Sequence, residues 1–344
     1  MERLEAQWMM VPEMKALLES RYTILRHVQA SGPVGRRKLA EIVGLPEREV
    51  RAAVDFLRDT NLIRVEKEGA TITTLGFDLL TSLETMMNDY IGRTTIARRI
   101  AEHYGIREVR IVDGDSDHSE STKLLIGEQA AHALEQLATS ERQIVAVTGG
   151  TSVASVPQFL SGHSLVQNYL FIAARGGMGD AIPLQANSIV STFAKKGNAS
   201  YRVFFYPDEL SERAHEVLQN EKEAKEMMAL YEQTDIVIHG IGVAEKLVKW
   251  RNSSEEVKEK IKQQEAKSEA FGYYFDANGD VVHRIRTVGI QLEHLREVPH
   301  IFALAGGKKK AEAILSYLNI APSQTVLITD EGAANEMIKQ IQFK

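Results

Sequence analysis

Hydrophobic positions in the C-terminal two-thirds of the chain form short runs that are separated by helical patterns. Most of these runs are nearly continuous in apolar residues and lack the alternation of a half-exposed strand. Continuous apolar runs are typical of parallel strands that are covered on both faces. The predicted strands are 109–112, 144–148, 169–173, 203–206, 236–239, 301–305 and 325–329.

Amphipathic segments between these runs predict the crossover helices of a parallel sheet, at 121–137, 208–220, 221–233 and 308–319. Strands that alternate with helices in this way favour a doubly wound, Rossmann-like α/β domain. One hairpin interrupts the alternation, with strands 273–276 and 281–285 joined by the turn Ala277-Asn278-Gly279. We assign residues 89–344 to this α/β domain.

The first quarter of the chain has helical periodicity and then a short alternating segment. Residues 1–20 predict one helix, and three more helical stretches are expected before two short strands at 61–65 and 70–73. The helical pattern returns from Leu75 to about Ile106, which we interpret as a linker. Residues 1–88 therefore form the predicted N-terminal domain.

Residues 37–57 have the spacing of a helix-turn-helix. This motif needs a small residue where its helices cross, a glycine at the left-handed turn and an apolar residue in the second helix. Ala40, Gly44 and Val50 occupy these places, and Pro46 stands where the second helix would begin. With the two short strands as a wing, the segment predicts a winged helix-turn-helix.

The second helix of this motif carries a polar face that suits DNA, because residues three and four apart lie on one side of a helix. Arginines on such a face can contact phosphates and guanine edges. A small interaction module whose arginines are only solvated remains an alternative. The predicted DNA-binding residues are Arg37, Arg48, Arg51, Asp55, Arg58 and, at the tip of the wing, Lys67.

Two glycine loops in the α/β domain follow predicted strands and precede predicted helices. The first is 148–152, with Gly149 and Gly150, and the second is 305–310, which ends in three lysines. Such loops expose backbone N–H groups that attract anions, although a lone glycine pair is more often only a tight turn. Because the carboxyl ends of parallel strands converge, we expect both loops at one ligand site, with Arg175 as a further phosphate contact.

Composition and motifs exclude several other classes. The 344 residues have a net charge of −6 and include no cysteine, so disulfides and thiolate chemistry are absent and a cytoplasmic location is expected. No apolar run is long enough for a membrane span. Neither glycine loop is a nucleotide-binding fingerprint, the histidines lack metal-ligand spacing, and Asp113–Asp117 departs from a calcium loop at His118. We predict no cofactor, no metal and no membrane partner.

With these motifs, the chain resembles the SorC/DeoR-type sugar-responsive repressors over nearly its whole length. The resemblance rests on the segments 148–152, 173–177, 239–242, 269–276 and 305–310. It implies an effector domain similar to the glucosamine-6-phosphate deaminase and ribose-5-phosphate isomerase folds. It further implies a repressor of glycolytic genes, such as the glyceraldehyde-3-phosphate dehydrogenase operon, that is induced by fructose 1,6-bisphosphate. Because palindromic operators match two-fold proteins, we expect a homodimer or homotetramer that binds operator DNA.

The same resemblance implies roles for individual residues. Glu269 would bind sugar hydroxyls. Two positions depart from the usual family pattern: Glu269 stands where the family more often has Asp, and Ser152 stands where it more often has Thr. Which phosphorylated sugar fits therefore stays open. The implied ligand-binding residues are Gly149, Gly150, Thr151, Ser152 and Lys310 for one phosphate, Arg175, Gln185 and Arg251 for the other, and Glu269.

A sugar-phosphate isomerase or deaminase with an appended helical domain is the alternative from another class. Its chemistry needs a positioned general base. Asp180, His239 and Glu269 are candidates, but no motif arranges them together. We therefore predict a regulator without catalytic residues.

Overall fold

The computed structural model describes residues 10–162, 164–177 and 181–342. The chain forms two compact units, one reaching Thr95 and including His118–Thr122, the other containing Ile96–Asp117 and the chain from Lys123 onward. Among the described helices, none is both long and apolar enough to cross a membrane.

The N-terminal unit is a winged helix-turn-helix followed by a long helix, as predicted. Gly44 has the left-handed conformation that the turn requires (φ 66°, ψ 24°), and Leu39, Val50 and Leu57 are buried in one core. The elements are α1 (Pro12–Ser31), α2 (Arg36–Val43), α3 (Glu47–Asp59), β1 (Ile63–Glu66), β2 (Gly69–Ile72) and α4 (Thr74–Ile91).

The predicted helix boundary at residue 20 is wrong. Helix α1 runs without interruption from Pro12 to Ser31, because Tyr22, Ile24, Leu25 and Val28 continue its buried face. Residues 1–9 of the predicted helix lie outside the described residues. The predicted linker is divided into two helices: α4 is terminated by Gly92 (φ 83°), and α5 spans Arg93–Tyr104.

The second unit contains a seven-stranded parallel sheet. Its strands are β3 (Glu108–Val112), β4 (Gln143–Val147), β5 (Tyr169–Ala173), β6 (Ser200–Arg202), β7 (Ile236–Gly240), β12 (His300–Leu304) and β13 (Thr325–Asp330). They lie in the order β3-β13-β12-β7-β4-β5-β6. The prediction of a doubly wound α/β fold is therefore confirmed.

Helices connect these strands, and the four predicted crossover helices are found with ends within four residues of the predicted ones. They are α6 (Glu120–Gln136), α7 (Thr151–Ala154), α8 (Ala186–Gly197), α9 (Glu212–Leu218), α10 (Lys222–Glu232), α11 (Ala244–Trp250), α12 (Glu255–Gln263), α13 (Leu292–Leu295), α14 (Ala311–Leu318) and α15 (Glu331–Gln342). A 3₁₀ turn, Lys308–Lys310, precedes α14.

The predicted strand 203–206 is wrong, since β6 ends at Arg202. The side chain of Asn187 accepts from the Phe204 amide (2.8 Å) and donates to the Phe204 carbonyl (3.0 Å). These two bonds satisfy the backbone where a strand partner would otherwise be needed. The following helix begins at Glu212 rather than at residue 208, because Ser211 caps it by accepting from the Ala214 amide.

The predicted hairpin belongs to a second, four-stranded sheet. Its strands are β8 (Gly242–Val243), β9 (Ser268–Ala270), β10 (Tyr273–Phe275) and β11 (Val281–Arg284), all antiparallel to their neighbours. They lie in the order β11-β10-β9-β8. Because β8 directly follows β7, this small sheet continues from the carboxyl edge of the large one.

Candidate functional site

The large sheet reverses its winding direction between β4 and β7. From β4 the chain proceeds outward through β5 and β6, and from β7 it proceeds the other way through β12 and β13. Ligands of open α/β sheets bind in the crevice at such a point, beyond the carboxyl ends of the strands. Here the Gly240 amide donates to the Thr148 hydroxyl (3.3 Å), which joins the end of β7 to the loop after β4.

A cavity of about 270 Å³ lies at this point. Gln185, a predicted contact, does not line it, although the preceding residue Leu184 does and accepts from the Gly150 amide (2.9 Å). The other eight predicted ligand-binding residues come together in its lining: Gly149, Gly150, Thr151, Ser152, Arg175, Arg251, Glu269 and Lys310.

One end of the cavity is formed by the loop after β4 and the start of α7. Gly150 has φ 120° and ψ 159°, a conformation that only glycine adopts readily. This turn places Thr151 and Ser152 at the start of the helix, where backbone amides have no intrahelical acceptor. The end therefore presents hydroxyl and N–H donors suited to an anion.

Lys310 supplies a positive charge in the cavity. Within the described residues its ammonium group makes no ion pair, and its hydrogen bond, to the Ile241 carbonyl, is long at 3.5 Å. Burial, together with the neighbouring Lys246 and Lys123, lowers the pKa of Lys310 below its usual value, although Asp117 and Asp330 oppose this shift. A bound anion would supply the counter-charge that the side chain lacks.

The backbone amides of the second glycine loop serve a different purpose from the one predicted. Gly307 N–H donates to Asp330 (2.8 Å), Lys308 N–H to Asp115 (3.2 Å) and Lys309 N–H to Asp117 (2.8 Å). These three carboxylates occupy the donors that a phosphate would use. The loop therefore contributes the Lys310 side chain, and the acidic segment that resembled a calcium loop holds it in place.

Arg175 and Arg251 lie in a buried cluster with two carboxylates. Arg175 donates to Asp208 (2.6 Å) and Glu269 (3.2 Å), and Arg251 donates to the same Asp208 and to Glu269 (3.0 Å). Burial alone would lower the pKa of Arg251, but Glu269 and Asp208 raise it above its usual value. Glu269, within β9, also accepts from the Gly272 amide (2.7 Å), which ties its carboxylate to the turn after β9.

The sequence analysis missed Asp208 and the apolar wall of the cavity. Asp208 was the first residue of the predicted helix 208–220, and nothing local distinguished it from other surface acids. The wall is contributed by residues of helices, connecting turns and one strand of the large sheet, whose proximity only the fold creates, and its apolar side chains suit the carbon face of a sugar. It consists of Leu184, Ile241, Leu247, Trp250, Phe271 and Leu304.

The candidate general bases do not form a catalytic arrangement. His239 is fully buried, and both ring nitrogens are engaged, Nδ1 with the Gly240 carbonyl (3.1 Å) and Nε2 with the Tyr317 hydroxyl (3.0 Å). Burial lowers the pKa of His239 to about 4. Glu269 is committed to two arginines and a backbone amide, and Asp180 lies outside the described residues.

The predicted DNA-binding side chains lie on exposed parts of the N-terminal unit. Arg48 and Arg51 are exposed on α3, and Lys67 is exposed in the turn between β1 and β2. Arg58 pairs with Asp55 (3.1 Å) and Asp59 (2.8 Å), and the bond to Asp59 raises its pKa. Arg37 is exposed and lies 3.7 Å from Glu47.

Together, the winged helix-turn-helix and the switch-point cavity define a ligand-sensing DNA-binding protein. Comparison with known proteins agrees with this class. Residues 17–87 match the family described as "CggR N-terminal DNA binding domain", and residues 88–339 match the "Putative sugar-binding domain" family.

Individual relatives identify the family more closely. The chain is 38% identical over 336 residues to the central glycolytic genes regulator of Bacillus subtilis, covering 98% of each chain. It is also 38% identical, with a TM-score of 0.66, to the crystal structure of "the putative SorC family transcriptional regulator from Enterococcus faecalis", covering 71% of this chain and 99% of that one. The chain belongs to the SorC family of sugar-binding transcription regulators.

A more distant structure extends the agreement in fold. The full-length sorbitol operon regulator SorC from Klebsiella pneumoniae matches with a TM-score of 0.67 at 16% identity, over 89% of this chain and 94% of that one. The close relatives are transcription regulators, which confirms the regulator interpretation and makes the isomerase or deaminase alternative wrong.

Proposed function

We propose that this chain is a cytoplasmic repressor of glycolytic genes that releases its operator when a phosphorylated sugar binds the switch-point cavity. Residues 1–88 bind DNA, and residues 89–344 bind the effector and form a homodimer or homotetramer. The effector is fructose 1,6-bisphosphate, and the protein needs no cofactor. The similarity to the central glycolytic genes regulator of Bacillus subtilis supports the link to glycolysis.

The observation that carries the proposal is that one cavity brings together two sets of side chains that can bind phosphate. We assign Lys310, Thr151 and Ser152 to one phosphate, and the guanidinium groups of Arg175 and Arg251 to the other. A bisphosphate offers one anionic group to each set, while its sugar ring meets the apolar wall and Glu269. A monophosphate satisfies only one of them.

DNA recognition follows from the exposed arginines of α3. Arg48 and Arg51 have no ion pair among the described residues, so both can contact DNA without first losing a partner. Arg37 and Lys67 would add backbone contacts beside them, and Asp55 would orient Arg58 through their ion pair. A two-fold oligomer would present two such modules to a palindromic operator.

Thermal unfolding with a panel of sugar phosphates tests the effector. A ligand that binds only the folded state stabilises it by about 2.7 kcal/mol at a hundredfold excess over Kd. We expect the largest shift with fructose 1,6-bisphosphate and smaller shifts with fructose 6-phosphate, ribose 5-phosphate and glucosamine 6-phosphate. The shift should disappear in Lys310→Ala and persist in Lys309→Ala, whose side chain is exposed and does not line the cavity.

Operator binding tests the response. Fluorescence anisotropy with the operator upstream of the glycolytic genes should show binding by the free protein and release on addition of the bisphosphate. A shift only with a monophosphate would replace the effector we propose. Tighter operator binding in the presence of ligand would contradict induction.

A further inference from the structure

Asp208 lies directly between the two arginines of the cavity. One of its carboxylate oxygens accepts from Arg175 Nε (2.6 Å), and the other accepts from a terminal nitrogen of Arg251. The side chains of all three residues are buried. Asp208 itself does not line the cavity, so it contacts the arginines from behind the surface that a ligand would reach.

The charges of this cluster cancel. Two guanidinium groups face two carboxylates, those of Asp208 and Glu269, so the region has no net positive charge for a phosphate. Yet the cluster is not saturated in hydrogen bonds. Arg175 Nη2 and Arg251 Nε are buried and have no acceptor among the described residues. An incoming anion would find free donors but would also meet the charge of the resident carboxylates.

The two carboxylates differ in how firmly they are held. Glu269 belongs to β9 and also accepts from the Gly272 amide (2.7 Å), so the small sheet fixes its position. Asp208 stands between β6 and α9, and its carboxylate accepts from the two arginines alone among the described residues. Asp208 is therefore the carboxylate that can give up its partners with the smaller loss of structure.

We propose that Asp208 is an internal anion that competes with the second phosphate of the effector for Arg175 and Arg251. By this competition Asp208 determines how strongly the cavity prefers a sugar bisphosphate to a monophosphate. A phosphate that binds here takes over the donors that Asp208 holds. The inference rests on the proposed function, because it assumes that the effector's first phosphate binds at Lys310.

The Asp208→Asn variant of the full chain tests this competition. We measure the affinities of fructose 1,6-bisphosphate and fructose 6-phosphate by isothermal titration calorimetry. Loss of the carboxylate leaves the arginines with excess positive charge, so we expect the bisphosphate to bind about tenfold tighter or more. The monophosphate, held at the Lys310 end, should change by less than about twofold. The matched control is Glu226→Gln, which removes an arginine-paired carboxylate that does not line the cavity, and neither affinity should change.

Weaker bisphosphate binding in Asp208→Asn, or an equal gain for both sugars, would overturn the role of Asp208. If the wild type still binds the bisphosphate, the proposed function survives that result. Binding of neither sugar by either protein would overturn both proposals, whereas binding of the bisphosphate by the variant alone would support the competition and reject the effector.

Hydrogen exchange of the wild type tests the competition even if the variant fails to fold. The Asp208 amide donates to the Gly177 carbonyl (3.0 Å), and the Leu210 amide donates to the Arg286 carbonyl (2.9 Å). When a phosphate replaces the carboxylate, the segment loses its ion pairs, and these amides should exchange several-fold faster with the bisphosphate than with the monophosphate. Exchange that is unchanged or slower with the bisphosphate would contradict displacement of Asp208.

Discussion

Replacing Lys310 by methionine should separate stability from ligand binding. Methionine keeps most of the length of the side chain and removes its charge. Lys310 is mostly enclosed, has no ion pair among the described residues and lies near Lys246 and Lys123, and burial is the main reason that its pKa is lowered. Because the folded protein disfavours the charged form, Lys310→Met should raise the free energy of unfolding at neutral pH.

The sign of the effect follows from proton binding. In the unfolded chain Lys310 has an ordinary pKa of 10.5, whereas in the folded protein its pKa is lower. Between these two values the unfolded state binds more protons, so stability of the wild type rises with pH in that window. The variant lacks this rise. Each kcal/mol gained should increase the Tm by about 2–4 °C.

The same substitution should weaken effector binding. A hydrogen bond to a charged group contributes about 1.5–3 kcal/mol, which corresponds to about a 10- to 140-fold change in Kd. Calorimetry with fructose 1,6-bisphosphate and a thermal scan of the free protein measure the two effects. Lys309→Met is the control and should change neither, since that side chain is exposed in the same loop. A lower Tm with an unchanged Kd would refute the assignment of Lys310 to a phosphate.

Three further substitutions and conditions test other parts of the molecule. Arg48→Ala with Arg51→Ala should weaken operator binding and make its log–log salt slope less negative by about 0.9 for each phosphate that is no longer neutralised; an unchanged slope would contradict binding of these arginines to the DNA backbone. Gly150→Ala should destabilise the protein by about 1–3 kcal/mol and weaken ligand binding, because the residue has φ 120° although the space around it is open; a neutral effect in denaturant unfolding would contradict backbone strain. Burial lowers the pKa of His239 from 6.5 to about 4 in the folded protein. Between these two pH values the unfolded state therefore binds more protons than the folded state. The free energy of unfolding should fall by up to about 3 kcal/mol as the pH drops from 6.5 to 4. His239→Leu should reduce this dependence, and an equally steep loss in the variant would assign it elsewhere.

Local patterns were sufficient to predict the elements that position the site. Strands β4, β5 and β7 are largely apolar runs, and their boundaries differ from the predicted ones by at most one residue. The helix-turn-helix was equally predictable, because one short segment contains both a glycine that the backbone conformation of the turn requires, Gly44, and an apolar residue that packing requires, Val50. Such features depend on neighbours in sequence, so a single chain reveals them.

Features that depend on distant neighbours were not predictable in this way. The missing strand after Arg202 results from hydrogen bonds between Phe204 and Asn187, a side chain 17 residues earlier. Asp208 meets Arg175 across 33 residues and Arg251 across 43 residues, and only the folded sheet brings them together. An exposed acid and a buried counter-ion look the same in sequence.

The two glycine loops show why a motif has to be judged by its surroundings. Both follow a buried strand, and both offer backbone donors, so in sequence they suggest the same anion-binding function. In the folded protein the amides of Gly307, Lys308 and Lys309 are occupied by carboxylates, one of which, Asp330, is itself anchored by Ser116 from 214 residues away. This loop is therefore a rigid support that aims one lysine into the cavity, while the loop after β4 retains donors for the ligand. The positive charge at this end of the cavity therefore depends on Lys310. For this reason, replacing Lys310 should weaken ligand binding far more than replacing Lys308 or Lys309, its exposed neighbours in the same run of three lysines.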